Sequence, residues 1–230
     1  MHRPIRQILA AILVLIVVPA RSRSEVITRL PTLEKVVALT FDACETTTPS
    51  YFDRAILDYL LREHIPATLF VSGKFAKRNQ GALQELARVE LLEVENHSLS
   101  HRQHMERLNE MEVRREVLDN EAILREATGV KPVFFRFPAG NFNAATLQLV
   151  ESLGYRVVHW SFASGDPDRH AGSAHLTRWV LDRARPGSIL IFHINGRGYH
   201  TGEALPHIVD GLRQRGYRFV TLREGLGVGD

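Results

Sequence analysis

A chain of 230 residues with 44% hydrophobic content holds one ordinary domain with a full core and leaves room for a short leader. Its 29 Lys+Arg against 26 Asp+Glu give a net charge of +3, and two of those charges, Arg3 and Arg6, fall in an acid-free stretch over residues 1–20. The remainder is nearly neutral and has no basic block interleaved with aromatics, so nothing marks a nucleic-acid binder.

Residues 1–20 read as a secretory signal. His2, Arg3 and Arg6 form a basic start, residues 8–18 are unbroken apolar, and Val18-Pro19-Ala20 supplies small residues for cleavage after Ala20. The apolar run is shorter than the ~20 residues a membrane span needs. The expectation is therefore a secreted or periplasmic protein with no stable span after cleavage; an uncleaved anchor is the alternative. Residues 21–34 read as an N-terminal extension and 35–230 as one folded domain. The single cysteine, Cys44, suits an exported chain without an internal disulfide.

From residue 35 onward, apolar runs alternate with stretches of helical spacing. The pattern predicts strand 36–41, helix 51–64, strand 67–71, helix 81–89, strand 91–94, helix 109–128, strand 133–137, helix 144–153, strand 155–160, helix 176–184, strand 188–193, helix 202–215 and strand 218–222. The strands are continuous in Val, Ile, Leu and Phe rather than alternating, as strands covered on both faces are. Gly129, Gly154, Pro186-Gly187 and Gly216 fall where elements must stop. Seven strands separated by helices predict parallel βα units, in a barrel or an open doubly wound sheet. No glycine-rich phosphate loop follows any strand, which disfavours a nucleotide-binding sheet.

Active sites of parallel barrels lie at the C-terminal ends of the strands, and there the sequence places its chemically capable residues. Asp42 ends the first strand, Asn96-His97 follow the third, Arg136 ends the fourth, Trp160 to Asp168 follow the fifth, and His193 ends the sixth. In "NHSLSH" (96–101), His97 and His101 stand four apart and can turn two imidazoles toward one divalent ion, with His104 a nearby third; a solvated histidine-rich loop is the plain alternative. In "FFRFPAG" (134–140), Arg136 can hold a carboxylate in a bidentate fork, while Pro138 and Gly140 shape the turn. In "ILIFHING" (189–196), His193 can donate a proton to a leaving group or be an ordinary core histidine.

Taken in order, these segments resemble the polysaccharide deacetylases that share the NodB homology domain, metal-dependent enzymes that remove acetyl groups from glycans. "TFDAC" stands where that family has Thr-Phe-Asp-Asp-Gly, "HSLSH" matches its His-Ser/Thr-x-x-His motif, and "RFPAG" its Arg-x-Pro-x-Gly motif. "HWSFASGDPD" sits where the family places a Trp and an Asp that buttress the arginine. "ILIFH" matches its late strand ending in the catalytic histidine, and "TGEALPHIVDGLRQRGYRFVTL" its closing helix and strand.

The resemblance implies a single-domain, distorted (β/α) barrel of about seven parallel strands. It implies that His97 and His101 hold a divalent metal, zinc by the family's habit, that Asp42 is the general base tethered by Arg136, and that His193 is the acid, oriented by Asp166 or Asp168. Phe142, Trp160 and Pro138 would line the substrate, with a backbone N–H near Phe142 on the oxyanion. One departure stands out: the family's third metal ligand falls at Ala43, which has no donor atom. Glu45, His104 or Asp42 itself are the conceivable replacements, Glu45 being the first choice, and Cys44 reads as packing. The implied function is hydrolysis of acetyl groups from an N- or O-acetylated polysaccharide or cell-wall glycan such as peptidoglycan. The alternatives are a metal-independent amidohydrolase for a small molecule and a catalytically weak glycan-binding protein.

Overall fold

The computed structural model describes residues 25–228, so the leader read over residues 1–20 lies outside the described residues. Eight strands form one parallel sheet: β1 Val36–Ala43, β2 Ala67–Val71, β3 Leu92–Asn96, β4 Phe134–Phe135, β5 Arg156–Val157, β6 Phe162–Ala163, β7 Ser188–His193 and β8 Arg218–Val220. Their order is β5-β4-β3-β2-β1-β7-β6, with β8 paired to the start of β1. Eight helices complete the chain: α1 Arg54–Arg62, α2 Gly73–Arg78, α3 Gln80–Leu86, α4 Glu110–Thr128, α5 Ala144–Ser152, α6 Ser173–Arg183, α7 Thr201–Gln214 and α8 Leu222–Leu226. The expected single-domain distorted barrel is what the chain forms. Among the described residues, no helix is long and apolar enough to cross a membrane.

β1 is buried along its whole length and bonded on both edges, which is why its sequence is apolar at nearly every position. Val37, Leu39, Phe41 and Ala43 pack outward in the main core, where α1 contributes Ile56 and α7 contributes Ile208. Val36 and Ala38 face the other way, into a second cluster with Phe70, Phe134 and Ile189. The two-residue period of a strand gives Thr40 and Asp42 this same inward parity. Helix ends carry their expected signals. Asn109 and Glu112 form a reciprocal capping box on α4, and Gly129 closes it at φ 75°.

Three differences from the sequence reading have physical causes. The strand expected over 155–160 shortens to β5, and an unexpected β6 follows it, because the sheet is open between these two strands and the chain must turn there. α2 and α8, of six and five residues, are too short to show a helical period. Residues 25–34, read as an extension outside the domain, are part of the barrel. Ile27 bridges Val158 and Arg29 bridges Ser188, so this segment crosses the open seam from β5 to β7. The Leu30 amide donates to the Gly187 carbonyl at 2.8 Å, and the Leu30 side chain is buried in the inner cluster.

Candidate active site

Asp42 and His193 occupy matching positions on the adjacent strands β1 and β7, at the C-terminal end of the barrel. Arg136 arrives from the end of β4 and is completely buried. Its Nη1 donates to Asp42 Oδ1 at 2.7 Å, its Nη2 to Thr40 Oγ1 at 2.9 Å and the His159 carbonyl at 3.0 Å, and its Nε to the Val158 carbonyl at 3.2 Å. The guanidinium lies 3.9 Å from the centre of the Phe70 ring and 5.7 Å from that of Trp160. A buried arginine is tolerable only when its donors are met like this. The expected buttress is thus half present. Trp160 flanks the arginine, but two carbonyls take the place given to an aspartate.

Asp166, one of the two candidates for orienting His193, bonds to it. Its Oδ1 lies 2.9 Å from His193 Nδ1, and its Oδ2 accepts from the His193 amide at 2.6 Å and from Thr201 Oγ1 at 3.0 Å. A carboxylate only accepts, so Nδ1 carries a proton and Nε2 faces away from Asp166. Burial lowers the pKa of His193, but the hydrogen bond and charge of Asp166 outweigh it and the net shift is upward. Asp168 is exposed and caps the His170 amide, so it is not the orienting acid. Around Asp42, burial opposes ionisation, yet the neighbouring His97, Arg136 and His193 together outweigh it and its pKa falls to about 2.

The loop after β3 brings His97 and His101 together, with ring centres 4.9 Å apart. Ser98 and His101 both have left-handed backbones, φ 65° and 55°, a strained choice for residues with a Cβ. Asn96 holds the loop by accepting from the Ser98 amide at 3.0 Å and donating to the Val117 carbonyl at 2.9 Å and Tyr155 Oη at 3.0 Å. Ser98 Oγ accepts from the His101 amide at 3.1 Å. His97 Nδ1 faces the Arg136 carbonyl at 2.9 Å, an acceptor, so Nδ1 bears the hydrogen. Its Nε2 then presents a lone pair to Asp42 Oδ2, 3.4 Å away, with no hydrogen bond. His101 Nδ1 is likewise buried without a partner. Burial pushes the pKa of His97 down and that of His101 to about 3, so both rings are neutral.

Two buried, unpartnered imidazole nitrogens beside a carboxylate suit a divalent cation. The donor set stops short of three, however. Ala43 packs in the outer core and offers nothing. Glu45 is engaged elsewhere: both of its oxygens take Arg78, the Nη2–Oε1 contact being 2.9 Å, and the Ser50 amide adds a bond at 3.2 Å. His104 is half exposed and bonds Glu106 at 2.9 Å. Of the three conceivable replacements, Glu45 and His104 are thus corrected, and Asp42 remains, with Oδ1 bonded to Arg136 and Oδ2 3.4 Å from His97 Nε2. Among the described residues, no group of three or more His, Cys, Asp or Glu side chains is arranged to hold a metal.

Phe142 is 37% exposed and stacks on Phe137 at 5.5 Å, and Trp160 is half-buried. Pro138, expected against substrate, is buried and shapes the turn, where Ala139 and Gly140 adopt φ 54° and 73°. A Cβ on Gly140 would come within 2.9 Å of the Trp160 ring. Cys44 is buried, its thiol pushed up to about 11, first by burial and then by the charge of Asp42; it reads as packing here too. His159 escaped the sequence reading. It stacks on Trp160 at 5.2 Å, lies edge-on to Phe142 at 5.3 Å, and has a buried, unpartnered Nε2. Lying inside an apolar run, it gave no signal apart from its type.

The family match to polysaccharide deacetylase covers residues 29–158, more than half of the chain. The chain belongs to the polysaccharide deacetylase family. It is 30% identical over 199 residues to a peptidoglycan-N-acetylglucosamine deacetylase of Bacillus cereus, covering 86% of this chain and 91% of that one. A crystallised peptidoglycan N-acetylglucosamine deacetylase superposes with a TM-score of 0.80 at 28% identity, covering 88% of this chain and 92% of the other. A family 4 carbohydrate esterase pseudoenzyme from Bacillus anthracis shares the fold, with a TM-score of 0.78 at 24% identity over 89% of this chain and 70% of that one. This chain is a hydrolase of the polysaccharide deacetylase type.

Proposed function

We propose that the protein removes acetyl groups from an N-acetylated cell-wall glycan, with Asp42 as base and His193 as acid. The observation that carries this reading is the pair of separately supported groups at one level of adjacent strands: Asp42 held by Arg136 at 2.7 Å, and His193 held by Asp166 at 2.9 Å. A water held beside Asp42 Oδ2, the oxygen that Arg136 leaves open, gives a proton to that oxygen as its own oxygen bonds to the acetyl carbon. The carbonyl oxygen gains charge, which a backbone N–H near Phe142 meets. The C–N bond then breaks, the nitrogen takes a proton from His193 Nε2, and acetate departs. Arg136 fixes Asp42 in its ionised form, and Asp166 keeps the His193 proton directed at the leaving group.

A divalent ion, zinc by its imidazole donors, would be held by His97 and His101 and would supply Lewis-acid polarisation and a more acidic water. The relatives' substrates and the leader read from the sequence support peptidoglycan as the glycan and a secreted or periplasmic location. The decisive experiment measures acetate released from N-acetylglucosamine oligomers by the purified protein, with its zinc content determined alongside. Acetate release that follows zinc occupancy supports the reading. A second reading, a glycan-binding protein with little activity, is favoured by the donorless Ala43; glycan binding without acetate at full zinc occupancy would establish it.

A further inference from the structure

An open cleft of ≈ 790 Å³ adjoins the proposed catalytic residues. Its floor includes Cys44, just past the end of β1, and Asn195, Gly196 and Arg197, just past His193 at the end of β7. Arg169, Tyr199 and Tyr51 also line it. The cleft is lined by two arginines and no acid. Among the described residues neither Arg169 nor Arg197 forms an ion pair, whereas Arg54 pairs with Asp58 and Arg114 with Glu110. Arg197 reaches the Cys44 sulfur, a weak acceptor, and within the described residues neither guanidinium meets a carboxylate. Arg169 is held only by its face, 4.8 Å from the centre of the Tyr199 ring, which leaves its N–H edge turned to other partners. The two tyrosine rings, 62% and 42% exposed as residues, offer flat apolar faces of the size of a sugar ring.

We infer that this cleft seats the sugar next to the one being deacetylated, and that it selects a sugar bearing a carboxylate, which Arg169 and Arg197 bind. The inference rests on the deacetylase reading for its place in the reaction, but not for its chemistry. Two unpaired guanidinium groups beside a cleft without acids favour an anion. The planar fork of arginine matches a carboxylate in particular. A neutral glucosamine polymer would leave both charges unused, whereas a strand in which acidic sugars alternate with glucosamine would set a carboxylate there whenever a glucosamine lies at Asp42 and His193.

The test compares two substrates on the full-length protein: N-acetylglucosamine tetramer, and a peptide-free strand alternating N-acetylglucosamine with N-acetylmuramic acid. The same strand with its lactyl carboxyls amidated is the control. The acidic strand should show the higher kcat/KM. R169Q/R197Q should lower that value about tenfold while leaving the neutral tetramer unchanged, and the gap should shrink in high salt. Equal kcat/KM for acidic and amidated strands, or equal losses on all three substrates, would overturn the inference. If no substrate releases acetate, calorimetric binding decides instead. Tighter binding of the acidic strand that R169Q/R197Q abolishes upholds the cleft though the deacetylase reading fails; equal binding of acidic and amidated strands rejects the cleft.

Discussion

Arg136 and His97 lie at the same end of the barrel, both buried, yet Arg136 meets four acceptors while His97 keeps one nitrogen without a partner. The contrast extends to their neighbours. Asp42 and Asp166 are each bonded to the group they serve, whereas His101 Nδ1 is buried and unmet. An unmet buried polar atom costs on the order of 1–3 kcal/mol, so a folded chain keeps one where something outside the chain completes it. The proposed acid and base thus find their supports within the fold, whereas the two histidines each keep a buried nitrogen that the fold does not meet.

The sharpest way to break this comparison is Asp42→Asn. Turnover should fall by roughly 10²–10⁴, while zinc content stays unchanged because the two imidazoles remain. Zinc lost together with activity would group Asp42 with the two histidines. Next comes Arg136→Gln, which leaves Asp42 buried without its countercharge; thermal or urea unfolding should report a loss of about 3–5 kcal/mol. His97→Ala should have little cost in stability by comparison but should abolish zinc retention. With two protein donors instead of three, the wild-type site should also surrender its zinc on simple dialysis.

A smaller effect separates the two carboxylates. His193 acts while protonated, and its pKa is raised in the folded protein, so turnover should hold at low pH and fall as pH rises through that raised value. Asp166→Asn removes the influence that raises it, so the falling limb should move down by about one pH unit, visible in a kcat profile. An unmoved limb would mean that His193 is not the acid. The smallest effect is expected from Glu45→Gln, since Glu45 is spent on Arg78: zinc content should be unaltered, as measured by elemental analysis.

Much of this was legible in the sequence, for reasons that differ by residue. Asp42, Arg136 and His193 each end an apolar run, and a parallel barrel turns the ends of its strands to one face. Asp166 and Asp168 were both readable as partners of His193, but not which of the two. Only the turn after β6 brings Asp166 to His193 and leaves Asp168 exposed. Glu45 was misread because nearness along the chain says nothing of direction, and its partner Arg78 lies 33 residues away. His159 stayed hidden because a histidine among valines looks like any buried ring until Trp160 is seen stacked on it and Phe142 edge-on to it.

The strap over the open seam bears on how the chain reaches this state. Arg29 donates to the Pro186 carbonyl 157 residues further on, and Ile27 pairs beside β5. The residues made first therefore have their partners made late, and the barrel cannot be sealed while the chain is still being synthesised. Closing so long a loop is slow, and until it closes the seam edges of β5 and β6 stay open. Newly made protein should for that interval be prone to sticking to its neighbours, a hazard set by the order of synthesis and absent from the finished fold.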